Sequence, residues 1–186
     1  MNYSSLKPIG DVKAESQKIH VELGCGDNRR DMDGYENIGI DVIAGKQADI
    51  VCNLGFEDIP LPSDHADFVQ GIDFIEHVPK CVWENKHGLK IQRLLPLVHV
   101  MNEVWRIMKH NAELYLETPF SHWAYDRDPT HVSRLAEDWW HYFSADDNLY
   151  YDQGIVTCNF KPKDVSFKPY KNKDDTLCTR LIAIKA

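Results

Sequence analysis

Residues 20–26 read HVELGCG, an apolar run that closes on two glycines, Gly24 and Gly26. A second run, YENIGIDV (35–42), carries a lone acid, Asp41, near its end. Glycine at a strand end permits a positive φ and lets a ligand approach bare backbone. A carboxylate at the next strand end accepts two hydrogen bonds from a ribose diol, and such charge-assisted bonds are stronger than neutral ones. The pairing points to a nucleotide held between two strand ends.

A second group of reactive side chains lies in TPFSHWAYDRDPTHVS (118–133), which collects His122, Trp123, Tyr125, Asp126, Asp128 and His131. An imidazole titrates near neutrality, so His131 is a candidate general base, with Asp128 to orient it. The competing reading is structural: Asp128 and Pro129 form a turn, and His131 bonds a backbone carbonyl. The spacing of His122, Asp126, Asp128 and His131 matches no metal motif, and no metal is expected. His77, in IEHV, reads as a packed residue at a helix start. Cys25 reads as a small residue lining its loop, and Asp49 as a surface acid at a strand start.

These residues need strands to position them. KIHVELG (18–24), YENIGIDV (35–42), ADIVCNL (48–54), DFVQGID (67–73) and AELYLETP (112–119) are apolar runs closed by turn residues. Only about ten polar residues separate Gly26 from the second run, too few for a full crossover helix. A single helical turn or a loop is expected there. In IQRLLPLVHVMNEVWRIMK (91–109), Leu94, Leu97, Val98, Met101, Val104, Trp105 and Met108 recur at three- and four-residue spacing. That period predicts an amphipathic helix, with Pro96 in its first turn or at its start. LAEDWWHYF (135–143) predicts a short helix with one tryptophan inward. Two late strands, near 155–168 and at 177–186, predict an antiparallel edge hairpin. The fold class is α/β: a three-layer, Rossmann-like, mostly parallel seven-stranded sheet ending in that hairpin.

The chain has 186 residues, enough for one domain with a sizeable core. Residues 1–17 read as an N-terminal extension and 118–150 as a segment covering the substrate side. A net charge of -8 argues against a nucleic-acid partner. The lysine-rich KPKDVSFKPYKNK (161–173) reads as a solvated hairpin. No apolar stretch is long enough to cross a membrane, and no hydrophobic leader core opens the chain. Five scattered cysteines without a CxxC pair suggest reduced thiols and a cytoplasmic setting.

Two glycines and an acid fit either NAD or S-adenosylmethionine (SAM). The NAD fingerprint requires a third glycine where this chain has Arg29, and a helix N-terminus for the pyrophosphate. Glu22 would repel a pyrophosphate and tolerate an ammonium and a sulfonium. VELGCG and GIDV resemble the first two motifs of the class I SAM-dependent methyltransferases. Residues 51–78 and MNEVWRIMKHNAELYLETPF (101–120) are similar to later stretches of the same family, as is DPTHVSRLAEDWWHYFS (128–144). The abbreviated first crossover is similar to a methyltransferase type 11-like subgroup with a shortened first helix.

The resemblance implies SAM as cofactor and S-adenosylhomocysteine as product. Gly24, Cys25 and Gly26 would pass under the methionine part, and Glu22 would orient that loop or sense the ammonium. Asp41 would hold the ribose with Val42 against the adenine. Asn53 and Leu54 would border the adenine edge, and Gly71 to Asp73 would lie along the methionine. His122, Trp123 and Tyr125 would line the substrate side. Asn53 stands where the family has aspartate, and KHNAE (109–113) lacks the family's proline and glycines, which implies a changed turn. The abbreviated first crossover implies a pocket open on one side. The acceptor is expected to be a small molecule or a sugar unit of a glycan, by family analogy. A SAM-binding module without transfer activity and a nicotinamide oxidoreductase are the alternatives.

Overall fold

The computed structural model describes residues 17–185, apart from positions 46, 87–89, 147–148 and 171–172. The N-terminal extension, up to residue 16, lies outside the described residues. Seven strands form one sheet: β1 (Lys18–Leu23), β2 (Tyr35–Asp41), β3 (Ile50–Val51), β4 (Ala66–Ile72), β7 (Met108–Pro119), β8 (Phe160–Tyr170) and β9 (Lys173–Ala183). Their order is β3-β2-β1-β4-β7-β9-β8. The first five run parallel, and β9 pairs antiparallel with both β7 and β8. This is the mostly parallel sheet with a C-terminal hairpin that the apolar runs predict.

Central strands buried on both faces need continuous apolar runs. Val21, Leu23, Ile40, Val69 and Leu114 supply them, all at 1% exposure or less. The chain order reverses between β1 and β4, which places the carboxyl ends of β1, β2 and β4 around one crevice.

Three elements differ from expectation. The amphipathic helix, α1, spans Pro96–Ile107 only. Proline forces its predecessor out of the helical region, and Leu95 has φ -123° and ψ 70°. Residues before it form β6 (Lys90–Leu94), a separate antiparallel hairpin with β5 (Val82–Lys86). The third strand shrinks to Ile50–Val51, with Leu54 in an isolated bridge to Glu57. The 135–143 helix is a 3-10 turn at Trp139–Phe143; Trp139 is in the core and Trp140 half-buried. Among the described residues the other helices, α2 (His122–Asp126) and α3 (Leu149–Asp152), are a turn or so each. At the altered turn, Asn111 adopts φ 63°, the conformation glycine usually supplies.

Helix α1 anchors the loop that borders the crevice. Glu103 accepts the Ile59 N–H at 2.8 Å and two bonds from Arg106 at 2.7 and 2.8 Å. Arg106 in turn donates to the carbonyls of Ile59 and Leu61. Burial opposes the charge on Glu103, but these bonds outweigh it and hold its carboxyl below the ordinary range. A depressed carboxyl stabilises the fold above its unfolded pKa, and that stability is lost as pH falls through the folded value. Glu103→Gln is therefore expected to lower stability by about 1–3 kcal/mol at neutral pH. Urea melts should show that deficit vanish well below pH ~4.3.

Candidate functional site

Gly24 and Gly26 have φ 63° and 52°, a conformation that glycine adopts without steric cost. A Cβ on Gly24 would stand 2.7 Å from the Phe74 ring. The Asp41 carboxylate closes the loop, accepting the Gly26 N–H and the Ile43 N–H at 2.9 Å each. A carboxylate has about four acceptor positions, so capacity for a diol remains.

No helix follows the glycines: residues 24–34 are turns and coil. Their backbone is satisfied by side chains of the sheet instead. Glu22 and Gln70 are paired neighbours on β1 and β4. Glu22 accepts the Arg30 N–H and, at 3.0 Å, a guanidinium N–H of Arg30. Gln70 donates to the Arg30 carbonyl at 3.0 Å. Arg29 lies beneath, bonded to Asp31, Asp49 and the carbonyl of Gln47. Asp49 also accepts the Gly39 N–H at 2.8 Å, so this acid clasps two strands together.

A cavity of about 260 Å³ opens at the strand ends, lined by Gly24, Asp41, Val42, Asn53, Leu54 and Asp73 from the sequence-derived set. Cys52, Phe56, Phe74, His77, Val78 and Pro79 complete it and are not in that set. Val42 and Phe56 are 59% and 44% exposed, apolar groups held at the cavity instead of in the core. Four sequence-derived residues lie outside the lining. Glu22 is fully buried and committed to Arg30. Cys25 is buried facing Gly39; burial first, then Asp41 and Glu22, push its thiol up to about 11, so it is no nucleophile. Gly26 is exposed and Gly71 is buried against Leu116.

A second cavity of about 190 Å³ adjoins the first, and Asp73 and His77 line both. Asp128 and His131, the sequence-derived base and its orienting acid, both line it. His131 Nδ1 bonds the Tyr125 carbonyl at 2.7 Å, so it is the donor and leaves Nε2 as the lone-pair nitrogen of the neutral ring. That Nε2 lies 3.8 Å from Asp128 and 3.9 Å from Glu76. Asp128 itself accepts from the Thr130 N–H and hydroxyl, as the turn reading expects. The bonds observed are those of the structural reading, a turn at Asp128 and a backbone carbonyl on His131. His122, Trp123 and Tyr125 do not line this cavity; Ala124 and Arg127 do. Residues three apart on one helical turn share a face, and here the inward face is Ala124–Arg127. His122 and Trp123 are exposed on the outer side, and Tyr125 meets the His131 ring at 5.2 Å.

His77 is not packed in the core: it is exposed in a 3-10 turn (Ile75–His77) and bonded through Nδ1 to Thr130. Its neighbour Glu76 is fully buried. Burial, reinforced by Asp73 and Asp128, pushes its carboxyl up to about 7. The only sequence signal for this pair is the string IEHV; its meeting with His131 is a product of topology. A larger groove of about 450 Å³, mainly apolar, lies apart from the strand ends, between Leu97 of α1 and Trp139 and Phe143.

No protein-family model matches the chain, and no curated protein matches it. Solved structures do. A SAM-dependent methyltransferase from Methanosarcina mazei is similar at TM-score 0.55 and 15% identity, over 98% of this chain and 100% of that one. The phosphoethanolamine N-methyltransferase 1 of Haemonchus contortus, in complex with phosphoethanolamine and S-adenosylhomocysteine, gives 0.59 at 10% identity, over 91% and 40%. The 16S rRNA (adenine(1408)-N(1))-methyltransferase of Catenulisporales acidiphilia gives 0.55 at 14%, over 91% and 86%. The fold is that of the class I SAM-dependent methyltransferases. The acceptors named for these neighbours differ in class, so the fold leaves the acceptor open.

Proposed function

We propose that this chain is a SAM-dependent methyltransferase acting on a small-molecule or glycan-type acceptor. The observation that carries it is the convergence of Gly24, Asp41, Val42, Asn53, Leu54 and Asp73 around one cavity at the strand ends. In this reading Asp41 holds the ribose diol, and Val42, Leu54 and Phe56 flank the adenine. Asn53 meets the adenine edge as a neutral amide. Gly24, Cys25 and Gly26 pass their backbone under the methionine part, with Gly71 behind it. Asp73 faces the ammonium, and Glu22 acts one layer down by anchoring the loop. Residues 1–186 would work as one domain, with 1–17 as an N-terminal extension and 118–150 on the acceptor side.

Transfer is an in-line displacement: the methyl–sulfur bond breaks, a bond to the acceptor forms, and the electron pair leaves on a neutral thioether. Positioning supplies much of the rate, because the sulfonium carries its own activation. His131 Nε2 takes the acceptor's proton, and Asp128 steadies the resulting imidazolium. The modest second cavity and the net charge of -8 favour a small or sugar-like acceptor over a polyanion. Among the described residues no helix is long and apolar enough to cross a membrane. Five unpaired cysteines fit a reducing, cytoplasmic compartment.

Calorimetric titration with SAM, S-adenosylhomocysteine and NAD tests the reading. The first two are expected to bind and NAD is not. Silence toward both, or NAD competing with them, overturns it. Binding without methyl incorporation across a broad acceptor panel reduces the chain to a SAM-binding module.

A further inference from the structure

We propose that Glu76, His77 and His131 form a binding site for a first-row divalent metal ion at the floor of the second cavity. One ligand atom from each lies within 4.8 Å of the others. The decisive member is Glu76. It is fully buried, and among the described residues neither of its carboxylate oxygens has a hydrogen-bond partner. Its own main-chain N–H and the Thr118 hydroxyl both favour the charged form, and neither meets hydrogen-bond geometry. A fully buried carboxyl without a closed hydrogen bond is rare, and such a group is neutralised either by a proton or by a cation close by.

The facing nitrogen is His131 Nε2, 3.9 Å away. That gap is too long for a hydrogen bond. Metal–nitrogen and metal–oxygen bonds of about 2.1 Å at tetrahedral or octahedral angles put donors roughly 3.0–3.4 Å apart. Closing by about half an ångström, a side-chain adjustment, therefore suffices to hold an ion between them. His131 Nδ1 donates to the Tyr125 carbonyl, the outer bond that a ligating imidazole normally makes. His77 is held the same way, by Thr130 on Nδ1, which leaves Nε2 for an ion. Asp128 Oδ2, 3.8 Å from His131 Nε2, is within reach as a fourth donor.

Two imidazoles and a carboxylate suit zinc, cobalt, manganese or iron(II), and not the oxygen-seeking magnesium or calcium. The remaining positions of such an ion face the cavity, where it would polarise an acceptor oxygen. His131 Nε2 cannot bind an ion and take a proton at once, so in the loaded chain the ion would lower the pKa of a bound acceptor hydroxyl and the proton would pass to solvent water. The site does not depend on methyl transfer, and its test uses the metal alone.

The experiment is a titration of the untagged, chelator-stripped full chain with cobalt(II), followed by its visible ligand-field absorption. One ion per chain is expected. Glu76→Gln and His131→Ala should each weaken binding at least tenfold, and His110→Ala, far along β7, should not. S-adenosylhomocysteine binding, measured on every variant, reports separately on folding and on the cofactor reading. If a buried variant loses that too, the exposed His77→Ala decides, with the same loss of cobalt affinity expected. No saturable binding, or binding that all three ligand variants leave unchanged, overturns the proposal.

Discussion

Asp41→Ala is expected to weaken SAM binding at least tenfold. The carboxylate does two jobs at once. One oxygen accepts the Gly26 N–H and the other the Ile43 N–H, each at 2.9 Å, so it fixes the glycine loop on which the cofactor would rest. Its remaining lone pairs are anionic acceptors at the carboxyl end of β2. A hydrogen bond to a charged group contributes about 1.5–3 kcal/mol. Loss of one ribose bond alone therefore reaches about 1.4 kcal/mol, which is tenfold in affinity. Asp41→Asn keeps the shape and an acceptor oxygen and should fall between the two. Calorimetry with S-adenosylhomocysteine measures the loss, and a thermal melt of the unliganded variant shows whether the fold survives. Undiminished affinity would remove Asp41 from the site and the proposed ribose placement with it.

Glu22→Ala should destabilise the fold by about 2–4 kcal/mol, while Arg30→Ala should cost under about 1 kcal/mol. The asymmetry follows from what each removes. The Arg30 side chain is 48% exposed, and its ion pair with Glu22 is half in water. The Glu22 carboxylate is buried and holds the Arg30 main-chain N–H, which alanine at position 30 retains. Removing Glu22 strands that N–H and opens a cavity under the loop. Urea melts of both variants at the same pH give the comparison. Equal losses would mean that the ion pair, and not the main-chain bond, supports the loop.

The sheet was legible because its physics is local. A run such as VEL, buried on both faces and stopped by glycine, has few alternatives. The C-terminal hairpin was legible for the same reason, since two late runs had no helix between them. The start of α1 was legible in Pro96, one of the two places the sequence offered for it, and not in the periodicity. Ile91 and Leu94 continue the spacing of Leu97 and Met101, and periodicity cannot see that Leu95 precedes a proline. The place of Gly24, Asp41 and Asp73 at the first cavity was readable because open sheets form their crevice outside the carboxyl ends of the strands. The role of Glu22 was half readable: an acid near the loop was evident, but its bond to Arg30 depends on a coil with no pattern. Segment 118–133 borders the second cavity through Ala124 and Arg127 and not through His122, Trp123 and Tyr125, a choice of face that one helical turn offers no period to read. Glu76 and His131 meet only through the crossover between β4 and β7, which no spacing encodes.

Asp73 and His77 belong to both cavities. A carboxylate and an imidazole common to two walls make the two occupants thermodynamically interdependent. A cationic ligand in the first cavity draws on the same Asp73 charge that an occupant of the second would feel. Asp73 also has φ 50°, so its backbone is already held in an unfavourable conformation and has little room to adjust. The coupling between two such ligands is one free energy with two faces: whatever factor the first changes in the affinity of the second, the second returns to the first. Dissociation constants for either occupant then have meaning only with the state of the other specified.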